Sequence, residues 1–147
     1  DIQAPEARAD SILDAADRLA ALIGEVSLLY PTTGRALVTG FSQGGVLSFV
    51  LAIRHPELFK LAVPLSGELP WRLRPLPPQV GTSAPRIRAM HGTADRIFSI
   101  DGTQRGVEHL VGLDYDATVT PYPAVKHTIS PAMHAELFRL LSEAIGH

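Results

Sequence analysis

The sequence contains no cysteine, which excludes disulfide bonds, thiol catalysis and cysteine-based zinc sites without fixing a cellular compartment. It also lacks any apolar run long enough to cross a membrane as a helix. There is no block of basic residues, and 13 lysines and arginines nearly balance 15 aspartates and glutamates, so neither nucleic acid nor an anionic membrane is indicated as a partner. No stretch has the pattern of a signal peptide, and we expect a cytoplasmic protein.

The remaining composition is that of an ordinary globular domain. Hydrophobic residues make up 46% of the 147 positions and charged residues 19%, and this length is enough for one domain with a buried core. No internal repeat or low-complexity tract divides the chain. We therefore predict a single domain over residues 1–147.

The stretch 35–54 reads as a short apolar strand, a tight turn and an apolar helix, with Ser42 at the turn. The turn has the pattern Gly-x-Ser-x-Gly, which in this context places a serine on a strained strand-to-helix connection. Gly40 and Gly44 lack Cβ atoms, so we expect the strand and the helix to approach closely there. The N–H of Gln43, at the positive end of the helix, would point at an oxyanion forming near Ser42. The alternative is a plain glycine-rich turn that arose by chance, since glycine is common.

Hydrophobic periodicity and turn residues divide the rest of the chain into alternating elements. Helices are predicted at 5–29, 43–54, 99–112 and 130–145, and strands at 35–41, 61–67, 86–92 and 116–122. A helix between two apolar runs indicates a βαβ crossover, so we predict an α/β fold with a parallel sheet of about four strands and flanking helices. Pro64 is unfavourable inside a central strand, and we expect a bulge or an early strand end there.

Three predicted strands end in a loop that carries a reactive residue type, namely Ser42, Asp95 and His127. The carboxyl ends of parallel strands lie at one edge of a sheet, so these side chains should meet. The order Ser, Asp, His is the order expected for the triad of an α/β-hydrolase. In that triad His127 would take the proton of Ser42 as general base, and Asp95 would hold the imidazole in the correct tautomer.

Several other residues could fill these roles and are kept as alternatives. Ser66 and Ser130 are the alternative nucleophiles, in weaker contexts, and Asp101 and Glu68 are the alternative carboxylates. We expect His91, at a strand end, to be a structural hydrogen-bonding residue. No pair of histidines has the spacing of a zinc site with a third ligand, and we expect neither a metal nor a cofactor.

The loop over residues 68–85 contains five prolines together with Trp71, Leu73 and Leu76. One interpretation is a proline-stiffened linker with incidental hydrophobic residues. The other is a wall of an acyl-binding pocket, because loops at one edge of the sheet build the sites of α/β folds. Both interpretations stay open on the sequence alone.

The sequence resembles the carboxylesterase/phospholipase family of α/β-hydrolases, which includes the acyl-protein thioesterases. The resemblance rests on four segments in family order, which are 40–45 around the serine, 65–67, 91–95 around the aspartate and 122–127 around the histidine. It implies hydrolysis of carboxylic esters with short or medium acyl chains, through an acyl-enzyme on Ser42 and without a cofactor. The resemblance also makes thioesters and lysophospholipids candidate substrates.

The resemblance also implies structural elements of the family fold that are not found in residues 1–147. The family fold begins with further strands and with a His-Gly-x-Gly loop that supplies a second oxyanion donor, and no such loop precedes Ser42. Because the sequence begins at Asp1, we expect it to be the C-terminal portion of the fold. The strand at 35–41 would then be an edge, open to self-association or to a complementing N-terminal chain. The alternative function is a non-catalytic fragment or subunit that needs such a partner.

Overall fold

The computed structural model describes residues 5–73 and 83–146, and only the backbone of residues 5–7. Its helices are α1 (Pro5–Leu29), α2 (Gln43–Arg54), α3 (Ile100–Val111) and α4 (Pro131–Ile145). Its strands are β1 (Ala36–Phe41), β2 (Phe59–Leu65), β3 (Arg86–Gly92) and β4 (Ala117–Tyr122). Each element begins and ends within two residues of its predicted position. Ser99 caps α3, as predicted, by accepting a hydrogen bond from the backbone N–H of Asp101 at 3.2 Å.

The four strands form one parallel sheet in the order β1-β2-β3-β4, which confirms the predicted α/β architecture. Since all strands run in the same direction, the loops that follow β1, β3 and β4 lie at one edge. These are the loops that carry the predicted serine, aspartate and histidine. The topology therefore brings together residues that are far apart in sequence.

Pro64 lies next to the end of β2, which confirms the expected early strand end but not the expected bulge. Pro64 pairs with Gly40 of β1 in constant register, and the register shift lies at the other end of β1. The carbonyl of Leu65 accepts from the N–H of Ser42 on the β1 side, so by alternation the backbone groups of Pro64 face β3. The β2–β3 ladder skips positions 63 and 64. Proline has no N–H to donate, and Pro64 lies at a position where the β2–β3 ladder is interrupted, so no regular ladder bond is lost there.

The helices cover the two faces of the sheet unequally. On one face α2 is enclosed, because Phe49 and Ala52 pack toward the sheet and α3 while Val50 and Leu51 pack toward α1. On the other face α4 packs through Met133 and Leu140 on β2 and β3 in a separate cluster. The burial of α2 on most sides explains why its sequence is apolar nearly all round.

Candidate active site

Ser42 lies between β1 and α2 in a backbone conformation that residues other than glycine rarely adopt, with φ 58° and ψ −119°. Two hydrogen bonds hold this turn. The Ser42 N–H donates to the carbonyl of Leu65 at 2.9 Å, and its carbonyl accepts the first helical bond of α2 from Val46 at 3.1 Å. The serine therefore sits on a strained strand-to-helix turn, as the motif predicts.

Two glycines allow this turn to pack tightly, but they are not both the predicted ones. A Cβ on Gly40 would overlap the backbone of Gly44, which confirms the close approach expected at Gly40. A Cβ on Gly44 would meet nothing within 4 Å, so the close approach of the strand to Gly44 depends on the missing Cβ of Gly40 and not on that of Gly44. The second close contact is at Gly45, where a Cβ would lie 2.6 Å from the carbonyl oxygen of Leu65. The helix start thus packs against β2 as well as β1.

The structure brings Ser42, His127 and Asp95 together in one hydrogen-bonded line. His127 Nε2 lies 2.9 Å from Ser42 Oγ, and His127 Nδ1 lies 2.7 Å from Asp95 Oδ2. A carboxylate can only accept, so Nδ1 carries the hydrogen and donates it to Asp95. The lone pair of Nε2 then faces the serine, whose hydroxyl donates to it. This arrangement can remove the proton of Ser42.

The carboxylate of Asp95 is inaccessible to solvent, with a side-chain exposure of 0%. Burial acts to raise the pKa of Asp95, but hydrogen bonds more than offset it and the pKa lies below its ordinary value. These bonds come from His127 and from the backbone N–H groups of Ile97 and Phe98, which donate to Oδ1 at 2.8 and 3.1 Å. Asp95 therefore stays charged at neutral pH.

Two aromatic rings flank the imidazole of His127, and the sequence reasoning missed both. The ring centroid of Phe41 lies 4.8 Å from that of His127, and the centroid of Phe98 lies 6.0 Å from it. The available signal was their position, since Phe41 precedes Ser42 and Phe98 follows Asp95 by three residues. Rings on both sides restrict the orientation of the imidazole.

The aspartate loop and the histidine loop are joined by backbone contacts. The N–H groups of Thr93 and Ala94 donate to the carbonyls of Tyr122 and Val125, each at 2.9 Å. A Cβ on Gly92 would overlap the carbonyl of Val125, so only glycine fits there. Asp95 and His127 are thus placed by two loops that pack as one unit.

Gln43 is the first residue of α2 and directly follows Ser42. The first helical bond joins Val46 to Ser42, so the N–H groups of Gln43, Gly44 and Gly45 have no partner inside the helix. With the positive end of the helix dipole, they form an environment that favours negative charge. The role of Gln43 as an oxyanion donor stays a prediction.

The structure places the other predicted site residues as follows. Trp71 lies in a short turn at Trp71–Leu73 and is 73% exposed. Leu73 packs against the cluster between α1 and α2. Leu76 lies outside the described residues. The acyl-binding role of these three residues stays a prediction.

The alternative residues occupy other positions. Ser66 is fully buried, and its hydroxyl has no hydrogen-bond partner among the described residues. Ser130 caps α4 by accepting from the N–H of Met133 at 3.2 Å. Asp101 is exposed in the first turn of α3, and a carboxylate oxygen of Glu68 lies against the backbone of α3. Asp95, and neither of these carboxylates, accepts from Nδ1 of His127.

The described residues provide neither a metal-binding cluster nor a membrane-spanning helix. No three histidine, aspartate or glutamate side chains in residues 5–73 and 83–146 lie close enough together to hold a metal ion. Across the same residues, no helix is both long and apolar enough to cross a membrane.

The parallel sheet, the flanking helices and the serine at a strand-to-helix turn define an α/β-hydrolase fold. The sequence pattern of the Phospholipase/Carboxylesterase family matches residues 2–145, and the chain belongs to this family. This confirms the resemblance inferred from the four sequence segments.

Individual relatives agree with this assignment. The chain is 29% identical over 116 residues to acyl-protein thioesterase 1 of Mycosarcoma maydis, covering 76% of this chain and 48% of that protein. The fold matches that of esterase PE8 with a TM-score of 0.79 at 23% identity, covering 97% of this chain and 67% of that one. It matches acyl-protein thioesterase 2 of Zea mays with a TM-score of 0.74 at 22% identity, covering 91% and 66%. The chain thus spans about half the length of the curated relative that it matches.

Proposed function

We propose that this protein is a serine hydrolase that cleaves carboxylic esters through an acyl-enzyme on Ser42. The observation that carries the proposal is the line from Ser42 Oγ through His127 to Asp95, with contacts of 2.9 and 2.7 Å. Membership of the Phospholipase/Carboxylesterase family supports the same reaction class.

The proposed reaction assigns one task to each residue. Ser42 Oγ attacks the carbonyl carbon of the ester while its proton passes to Nε2 of His127, and Asp95 stabilises the imidazolium that forms. The N–H of Gln43 donates to the oxyanion. The imidazolium then gives its proton to the leaving oxygen or sulfur. A water molecule, deprotonated by His127, hydrolyses the acyl-enzyme and releases the acid.

A covalent probe tests the nucleophile directly. A fluorophosphonate should label the protein at Ser42 alone, as mapped by peptide mass spectrometry. Ser42→Ala should abolish both labelling and ester turnover, whereas Ser27→Ala, at an exposed position on α1, should leave both unchanged. Labelling that persists in Ser42→Ala would refute the assignment of the nucleophile.

For the substrate we propose esters or thioesters of short or medium acyl chains, with lysophospholipids as a further candidate. If Trp71, Leu73 and Leu76 line the acyl site, each added methylene should gain up to about 0.8 kcal/mol of binding until the pocket is full. Replacing Leu73 and Leu76 together by alanine should flatten this trend in kcat/KM across a series of p-nitrophenyl esters. An unchanged dependence of kcat/KM on acyl chain length would favour the interpretation of residues 68–85 as a linker.

A second candidate function is that of a subunit or portion that becomes active only with a complementing chain. The observation that favours it is the position of β1 at the edge of the sheet, with its outer side unpaired among the described residues. In this proposal the complementing chain supplies a strand beside β1 and the second oxyanion donor. Turnover by the 147-residue chain alone, at the level of an ordinary esterase, would exclude it.

A further inference from the structure

His91 is a fully buried histidine whose ring contacts three groups of the site. Its Nδ1 lies 2.8 Å from Oγ1 of Thr103, and its Nε2 lies 3.0 Å from the carbonyl oxygen of Phe98. The same Nε2 lies 3.3 Å from Oδ2 of Asp95. This carboxylate oxygen therefore has two imidazole nitrogens beside it, from His127 at 2.7 Å and from His91. The structural role expected of His91 from the sequence is confirmed.

The partners of His91 restrict where its ring can carry hydrogen. Both groups near Nε2, the Phe98 carbonyl and the Asp95 carboxylate, can only accept. A neutral ring with its hydrogen on Nδ1 would point the Nε2 lone pair at two oxygen atoms at 3.0 and 3.3 Å. That contact is repulsive, since neither side chain is exposed to solvent. The ring must therefore carry a hydrogen on Nε2, either as the neutral tautomer or as the imidazolium.

The direction of the Thr103 hydroxyl decides whether a ring with a hydrogen on Nε2 is neutral or charged. Its Oγ1 lies 2.8 Å from Nδ1 of His91 and 3.0 Å from the carbonyl oxygen of Gly67, and it has one hydrogen to donate. If the hydroxyl donates to Nδ1, the ring is neutral with its hydrogen on Nε2, and the Gly67 carbonyl receives no hydrogen from Oγ1. If it donates to Gly67, Nδ1 must donate to Oγ1, and a ring that keeps a hydrogen on Nε2 is then charged.

We propose that His91 is a positioning residue that holds Asp95 in place through the hydrogen on its Nε2. The role goes beyond the reaction proposed above but rests on it, because it matters only if Asp95 orients His127. His91 acts on Asp95 by two routes. Its Nε2 lies 3.3 Å from Oδ2, and the Nε2 hydrogen bonds to the carbonyl of Phe98 at 3.0 Å. The N–H of Phe98 in turn donates to Oδ1 at 3.1 Å, and the Phe98 ring contacts His127.

The first test measures the hydrogen positions of His91 in the unmodified protein. Long-range ¹H–¹⁵N correlation spectra of ¹⁵N-histidine-labelled protein distinguish the two neutral tautomers and the imidazolium. We expect His91 to carry hydrogen on Nε2 throughout the neutral and alkaline range. A neutral ring with its hydrogen on Nδ1 would overturn the proposal. This measurement needs neither turnover nor a substituted protein.

The second test compares two replacements of His91. Glutamine can place an N–H donor near the position of Nε2, whereas leucine fills similar space without one. The downfield resonance of the His127 Nδ1 hydrogen should persist in His91→Gln and broaden or shift in His91→Leu. In the leucine variant the maximal rate of fluorophosphonate labelling should fall by about tenfold, with the probe's affinity unchanged. His134→Leu, an exposed position on α4, is the matched control.

The outcomes separate positioning from simple packing. Equal behaviour of His91→Gln and His91→Leu would overturn the proposal, because a purely structural role does not depend on the donor. Should the leucine variant fail to fold, His91→Gln and the spectra of the unmodified protein still decide the role, because loss of the downfield His127 resonance in His91→Gln would overturn the proposal. If Ser42 is never labelled, the proposed function fails while the spectra still decide the state of His91.

Discussion

At the scale of single residues, the site depends on which atom carries each hydrogen. His127 can accept from Ser42 only because Asp95, an acceptor without hydrogens, takes the hydrogen on Nδ1. Asp95 can play this part because the N–H groups of Ile97 and Phe98 donate to its other oxygen. The orientation of the serine's base is therefore decided by donors on a neighbouring loop.

The first prediction concerns Asp95→Asn. The amide would present its NH₂ group to Nδ1 and leave the His127 hydrogen on Nε2, where it blocks acceptance from Ser42. We expect turnover to fall by about four orders of magnitude with the fold intact, by analogy with the serine-protease triad. The measurement is kcat on a p-nitrophenyl ester, with Asp101→Asn as the exposed control. Full activity in Asp95→Asn would mean that another carboxylate orients the histidine.

The second prediction concerns pH. Turnover should fall toward acid pH as His127 takes up a proton and can no longer accept from Ser42. Asp95 adds a separate effect on stability, because its native pKa is below that of an unfolded aspartate, about 3.9. Its stabilisation is fully present above that unfolded value and is lost as the pH falls toward the native pKa. Chemical denaturation should therefore show that Asp95→Asn removes part of the acid dependence of unfolding.

At the scale of elements, the site is positioned by contacts between the loops that follow β3 and β4. The loop bonds from Thr93 and Ala94 to Tyr122 and Val125 leave no room for a side chain at Gly92. A displacement of one loop would therefore displace the other loop as well. It would also change the distance from Asp95 to His127.

The third prediction follows from this contact. Gly92→Ala should displace the Val125 carbonyl and with it His127, so fluorophosphonate labelling should slow by about 100-fold, as expected for a misplacement of about 1 Å. Its control is Gly24→Ala in α1, where a Cβ meets nothing within 4 Å and should stabilise the helix by about 0.5–1 kcal/mol. Thermal melts check both variants. Normal labelling in Gly92→Ala would show that the two loops move independently.

The sequence predicted the elements well where one chemical pattern dominates. α1 and α4 follow from their helical periodicity, and β1 with its turn follows from an apolar run and the serine motif. The pattern does not show which glycines must lack a Cβ, so Gly44 was named together with Gly40, and Gly45, which lies against the Leu65 carbonyl, was missed. For the same reason the rings of Phe41 and Phe98 beside His127 were missed, since contacts between separate loops leave no local signal.

At the scale of the whole molecule, the two edges of the sheet differ. β4 carries Pro121, which has no N–H to offer a further strand, whereas β1 contains no proline. A groove of about 400 Å³ opens at the end of β1 remote from Ser42, lined in part by Ile23, Leu37 and Ile145. The β1 side of the molecule is thus the more receptive surface for another chain.

The fourth prediction is that the chain alone associates through β1 and has little activity. The N–H of Ser42 points to β2, so by alternation the N–H of Thr39 points away from it. Thr39→Pro should therefore yield a monomer in sedimentation experiments, whereas Thr39→Ala, which keeps the N–H, should still associate. A monomeric unmodified chain would contradict this prediction.

The activity of the chain should depend on whether a complementing segment binds beside β1. Losing one oxyanion donor typically costs about 10²–10³ in turnover, so a complementing segment with a His-Gly-x-Gly-like loop should restore at least that factor. The control segment has both glycines of this loop replaced by alanine. Equal activity with and without the segment would mean that the second donor comes from within residues 1–147.

The strands lie in the sheet in the same order as they occur in the chain. During synthesis each strand can therefore add to the edge of the one made before it, and none has to insert between two earlier strands. The turn at Ser42 is held once β2 has paired, but the loops that carry Asp95 and His127 are joined only after β4, because Thr93 and Ala94 donate to the carbonyls of Tyr122 and Val125. The contact between Ser42 and His127 closes a separation of 85 residues, and it closes last. Reactivity of the serine would thus report chains in which β4 has paired, and a ribosome-bound chain that ends before β4 should not react with the probe.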